Sequence, residues 1–77
     1  MIDIFDFIAH FADQFDDTDA GEFQAETHFR DLEEWSSFLA LAIMAMIKSE
    51  YDVAVTAQEM RDAETIQDLF DVVKSHI

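Results

Sequence analysis

A chain of 77 residues has room for one small domain with a limited capacity to bury surface. It carries 18 acidic side chains against 4 basic ones, and its formal net charge of -14 repels nucleic acid and anionic membranes while attracting basic protein surfaces. No cysteine is present to form a disulfide or a thiolate metal site, and 51% hydrophobic residues with one Gly and no Pro exclude an acidic disordered tail.

The N-terminal stretch holds Asp3 and Asp6 and no basic cluster, so it does not read as a secretory signal. Together with the missing cysteine, this makes a cytoplasmic location the expectation. From Ile4 to Phe15, Ile4, Phe5, Ile8, Phe11, Ala12 and Phe15 recur at helical spacing and predict a first helix. Asp3, Asp6, His10 and Asp13 lie off that stripe, and Phe7 is the one large apolar residue among them. Asp16 to Thr27 reads as loop, with the only Gly and several acids, and Phe23, Phe29 and Leu32 are expected to pin it to the core.

Phe38 to about Tyr51 predicts the second helix, since Ala, Leu and Met favour that state and few residues are β-branched. Ser36 or Ser37 is placed to cap its first turn. The unbroken apolar run from Phe38 to Ile47 is too short to span a bilayer, and no membrane insertion is expected. Nor can it all face one small core. If Ala40, Ile43, Ile47 and Tyr51 point inward, Leu39, Ala42 and Met46 lie wholly or partly outside, although the pattern alone does not fix the rotation. Either phase leaves apolar surface for a partner or cargo. Thr56 with Glu59 three residues on predicts a short third helix with a capping box. Thr65 with Asp68 gives a looser version of that signal before a last helix, with Ile66, Leu69, Phe70 and Val73 on one stripe. The sum is an all-α chain, a small four-helix bundle of three main helices and one short one, in one unit over residues 1–77.

The candidate chemistry is sparse. Asp16-x-Thr18-x-Ala20-Gly21 resembles the start of a calcium loop, but Ala20 brings no side-chain oxygen and Thr27 stands where a bidentate Glu is needed. His10, His28 and His76 are scattered without metal-ligand spacing, and no nucleophile elbow surrounds any serine. No metal and no catalytic activity are therefore expected. Met44 and Met46 serve equally as core filling or as an adaptable binding surface, and Met60 reads first as core filling.

Trp35-Ser36-Ser37-Phe38 at the head of the second helix resembles the attachment motif of the acyl carrier proteins, including the peptidyl and D-alanyl carrier types. That motif reads Asp-Ser-Leu. Ser37 falls on the modified serine and Phe38 on the leucine, with Ser36 as the neighbouring alternative. Tyr51-Asp52-Val53 is similar to the family's aromatic-Asp/Gly-hydrophobic exit from this helix, and Asp62 to Leu69 to the lead-in of its last helix. The resemblance covers nearly the whole chain. It implies a 4'-phosphopantetheine arm, moved from coenzyme A to Ser37 by a phosphopantetheinyl transferase. It implies an acyl or aminoacyl cargo held as a thioester for loading enzymes and synthases of fatty-acid, polyketide or related biosynthesis. A carrier of this kind catalyses nothing itself, and a monomer is expected.

Two departures bear on partners. Ser36 replaces the usual Asp, and the positions that are acidic on this helix in many fatty-acid carriers read Leu39, Ala42, Lys48 and Ser49. Docking is therefore expected to be more apolar, through Trp35, Phe38, Leu39, Ala42 and Met46, with Asp31, Glu33 and Glu34 steering a basic partner. The alternative reading is an unmodified acidic helical interaction module.

Overall fold

The computed structural model describes residues 2–77, and among them four α-helices account for the regular structure. They are α1 (Ile4–Ala12), α2 (Ser37–Tyr51), α3 (Ala57–Asp62) and α4 (Ile66–Ser75). Helix α1 packs against α2 and α4, and α3 packs against α4. The small all-α four-helix bundle expected from the sequence is the observed fold, with α3 as the short member.

Each helix start has a local cause. Asp3 caps α1, its Oδ1 accepting the Phe5 N–H at 3.0 Å. Thr56 and Glu59 close the expected capping box on α3. Thr65 and Asp68 form an equally complete box on α4. Each box satisfies N–H groups that the first turn leaves without an intrahelical partner. Helix α2 ends on Asp52 in the left-handed region at φ 56, with the Lys48 ammonium 3.0 Å from its carboxylate.

The buried face of α1 differs from the expected stripe. Phe7 and Phe11 are fully buried, whereas Phe5 is 77% exposed. Two apolar stripes share this helix, and the one bearing phenylalanines at 7, 11 and 15 faces inward because its rings meet other rings. Phe7 lies 5.4 Å from Phe70, Phe11 5.6 Å from Phe29, and Phe15 4.9 Å from Phe23, in tilted contacts that aromatic pairs favour. The helix also stops at Ala12, three residues short of Phe15, where the N–H groups of Gln14 and Phe15 turn back to Phe11 and Ala12.

The rotation of α2 is corrected as well. Leu39, Ile43, Met46 and Ile47 are buried, and Ala40, Ala42 and Tyr51 are only half-buried. This phase buries Leu39 and Met46 beside Ile43 and Ile47, with Ala40 and the hydroxyl-bearing Tyr51 moved to the half-buried flank, so the fully buried positions go to large, wholly apolar side chains. Leu39 and Met46 are therefore core residues and not the docking surface expected of them. The exposed large apolar residues of α2 are Phe38 (76%) and Leu41 (65%). Helix α4 buries Ile66, Leu69, Phe70 and Val73, as its stripe predicts.

The long connection between α1 and α2 is pinned by buried Phe23 and Phe29 and half-buried Leu32, and contains two single 3-10 turns, Ala20–Glu22 and Phe29–Asp31. It also covers the head of α4. The Ile66 and Gln67 N–H groups donate to the Thr27 and Ala25 carbonyls at 3.1 and 2.8 Å, beside an isolated antiparallel bridge between His28 and Thr65.

Candidate functional site

The two serines at the head of α2 have different duties. Ser36 is the N-cap, with extended backbone, and its Oγ accepts the Leu39 N–H at 3.3 Å. Ser37 is the first residue of the helix proper, and it is exposed. Its hydroxyl makes no hydrogen bond to the rest of the described chain. The first turn of α2 therefore presents a hydroxyl with no structural task at the positive end of the helix dipole.

Two shallow clefts of about 370 and 380 Å³ meet at Ser37. The first runs past Trp35 and Ser36 to Arg30 and Arg61. The second runs along Leu41 and Met44 to Ala57 on α3. Ala40, Met60 and Arg61 line both. Neither cleft has a carboxylate on its wall. Another cleft, of about 270 Å³, by contrast carries Asp17, Glu22, Glu33 and Glu34 beside Thr18 and Leu32.

Phe38 and Leu41 stand on the outer face of α2 one turn apart, with Asp31 and Glu33 exposed on the segment leading into the helix. Two residues expected to contact partners also have structural roles. Trp35 is half-buried and stacks on Phe11 at 6.5 Å with near-parallel planes, with Phe29 at 5.0 Å. Glu34 ties the loop together, its carboxylate accepting from the Asp16 N–H (2.8 Å), the Asp17 N–H (3.0 Å) and the Thr18 hydroxyl (2.7 Å). These bonds, the Asp16 N–H foremost, hold its carboxyl below the usual carboxylate range. A carboxylate held in this way steers a partner less freely than Asp31 or Glu33.

The structure does not bring the histidines together. His10 lies 3.8 Å from Glu50, and His76 lies 2.9 Å from Glu59. Among the described residues no group of three or more His, Cys, Asp or Glu is placed to hold a metal ion. No helix among the described residues is long and apolar enough to cross a membrane. The arginines beside Ser37 escaped the sequence reading. Arg30 and Met60, which the fold joins through a hydrogen bond, are 30 residues apart in the chain, and no local pattern links them.

The chain matches no family model, no curated protein and no solved structure. What the geometry supports is a small all-α four-helix bundle consistent with an acyl-carrier-like fold.

Proposed function

We propose that this protein is an acyl carrier protein whose 4'-phosphopantetheine arm is attached to Ser37. The observation that carries this reading is the division of labour between the serines: Ser36 caps α2, and the exposed Ser37 hydroxyl is left without a task. Three further features support it. The resemblance of Trp35-Ser36-Ser37-Phe38, Tyr51-Asp52-Val53 and Asp62 to Leu69 to carrier motifs falls on the head of α2, its left-handed exit and the start of α4. The walls around Ser37 carry no carboxylate to repel a phosphodiester. The first turn of α2, which Ser37 opens, has N–H groups without an intrahelical partner.

The arm would supply the thiol that this cysteine-free chain lacks, to carry an acyl or aminoacyl group as a thioester. The chain itself contributes the hydroxyl and the apolar cleft beside it, where Leu41, Met44 and Ala57 provide a surface for the arm or its cargo. A transferase, loading enzymes and synthases would dock on the same face. The exposed Phe38–Leu41 pair suits an apolar socket, and Asp31 and Glu33 suit a basic rim. Tethering raises the local concentration of cargo at each docked enzyme. Ser36 in place of the usual Asp fits a specialised carrier with a restricted set of partners.

The test is intact mass after incubation with coenzyme A and a broad-specificity phosphopantetheinyl transferase. The wild-type chain should gain one phosphopantetheine, and Ser37→Ala none. Gain persisting in Ser37→Ala but lost in Ser36→Ala would move the site by one residue. No gain under conditions that load a control carrier would favour an unmodified interaction module, which the solvent-facing Phe38 and Leu41 would serve equally.

A further inference from the structure

The distribution of positive charge around Ser37 is unlike that of the rest of the molecule. The chain has only four basic side chains against 18 acidic ones. Two of the four, Arg30 and Arg61, line the cleft that contains Ser36 and Ser37. With carboxylates so abundant, an arginine would be expected to sit in an ion pair. Among the described residues neither does, since the three ion pairs involve His10, Lys48 and His76.

The arginines bind neutral groups instead. Arg30 donates from Nη1 to the Met60 carbonyl at 3.0 Å, and its guanidinium lies 5.3 Å from the centre of the Phe29 ring. Arg61 donates from Nη2 to Gln58 Oε1 at 3.1 Å. These contacts anchor each guanidinium without neutralising it, and leave most of its five N–H donors unused. Of the two lysines, Lys48 is paired with Asp52 and Lys74 lies over the Phe70 ring on α4, and neither lines this cleft.

We propose that Arg30 and Arg61 form an anion subsite that takes the phosphate joining Ser37 to its arm. The inference rests on the reading of Ser37 as the attachment point. The guanidinium fork matches two oxygens of a phosphate, which a lysine's point charge does not. Its anchorage to Met60 and Gln58 means that little ordering is left to be done on binding. The subsite also gives an anionic donor such as coenzyme A one place to approach a surface that otherwise repels it.

The experiment follows the Arg Nε–Hε resonances of the isotopically labelled protein, with the phosphorus signal of the loaded form. Inorganic phosphate is first titrated into the unmodified chain. The Arg30 and Arg61 resonances should shift in a saturable way, and apparent affinity should fall at least tenfold in Arg30→Gln/Arg61→Gln. It should change less than threefold in Lys48→Gln/Lys74→Gln, which removes the same net charge elsewhere. The loaded protein should show both arginine signals displaced, and a phosphorus signal that moves when the arginines are replaced. A gain of mass with arginine and phosphorus signals insensitive to Arg30→Gln/Arg61→Gln overturns the subsite and leaves the carrier reading intact. Without a gain of mass the carrier reading fails, and with it the arm's phosphate as the occupant; a selective arginine response in the phosphate titration then sustains an anion subsite alone, and equal responses from both double variants overturn that as well.

Discussion

At the scale of single residues, the neighbouring serines give opposite expectations. Ser36→Ala removes the oxygen that accepts the Leu39 N–H, so it should destabilise the fold by about 0.5–2 kcal/mol, with the long 3.3 Å bond pointing to the lower half of that range. Ser37→Ala removes a hydroxyl with no partner and should change stability by less than about 0.5 kcal/mol, as surface substitutions do, while abolishing loading. Urea midpoints at unchanged slope, measured beside intact mass, separate the two effects. Equal losses of stability would mean that the capping role is shared. Tyr51 provides an independent case. Its ring lies 5.7 Å from Phe7, yet its buried hydroxyl has no hydrogen-bond partner. Burial first, then the charges of Asp6, Glu50 and Asp3, push the phenol above its usual pKa and keep it neutral. Tyr51→Phe removes an unsatisfied polar atom and keeps the ring, so it should stabilise the protein by about 1 kcal/mol. A lower urea midpoint would show that the hydroxyl is satisfied in solution.

At the scale of elements, what was legible in the sequence is what depends on neighbours three or four residues away. Thr56 with Glu59 and Thr65 with Asp68 announced two helix starts, because a capping box is closed by residues within one turn. The inward stripe of α4 was equally plain, since Gln67, Asp68, Asp71 and Lys74 mark its outer face. The phases of α1 and α2 were not. Helix α2 has no polar residue between Phe38 and Ile47 to mark an outer face, and α1 offers two apolar stripes of which only the tertiary ring contacts select one. The capping boxes also carry a pH dependence. The Thr56 N–H first, and then His76, hold the Glu59 carboxyl below its ordinary pKa, and the Glu64 and Thr65 N–H groups do the same for Asp68. A carboxyl lowered on folding contributes stability that is complete above its unfolded value, roughly pH 4, and is lost as pH falls through the folded value. Glu59→Gln keeps an oxygen for the Thr56 N–H and cannot titrate. Its melting temperature should therefore fall less steeply than that of the wild type below about pH 4. Identical acid limbs in a thermal scan would remove Glu59 from the account.

At the scale of the whole molecule, charge is the property that composition states plainly and topology then distributes. Composition gives the net charge of -14 but not where the few cations stand. The meeting of Arg30 and Arg61 beside Ser37 needs the connection before α2, α2 itself and α3 to be in place, and was not legible for that reason. The same distribution determines how the fold should respond to salt. The molecule measures 30 × 23 × 20 Å. At about 0.01 M salt the Debye length is about 30 Å, so every charge acts on every other, whereas at about 0.15 M it is about 8 Å and only near neighbours interact. The attraction lost on screening is small, because among the described residues the one ion pair without a histidine is the exposed Lys48–Asp52 contact, and such i,i+4 pairs are worth about 0.3–0.5 kcal/mol. The repulsion relieved is summed over 18 carboxylates confined to that volume. Repulsion should therefore dominate the balance, and the melting temperature at pH 7 should rise by about 5 °C or more over this range, equivalent to about 1 kcal/mol in a domain of this size. Potassium chloride is the salt to use, because phosphate would also occupy the proposed arginine subsite. A melting temperature that stayed level or fell would mean that the carboxylates are already compensated in solution, by pairs or bound cations that the fold does not display.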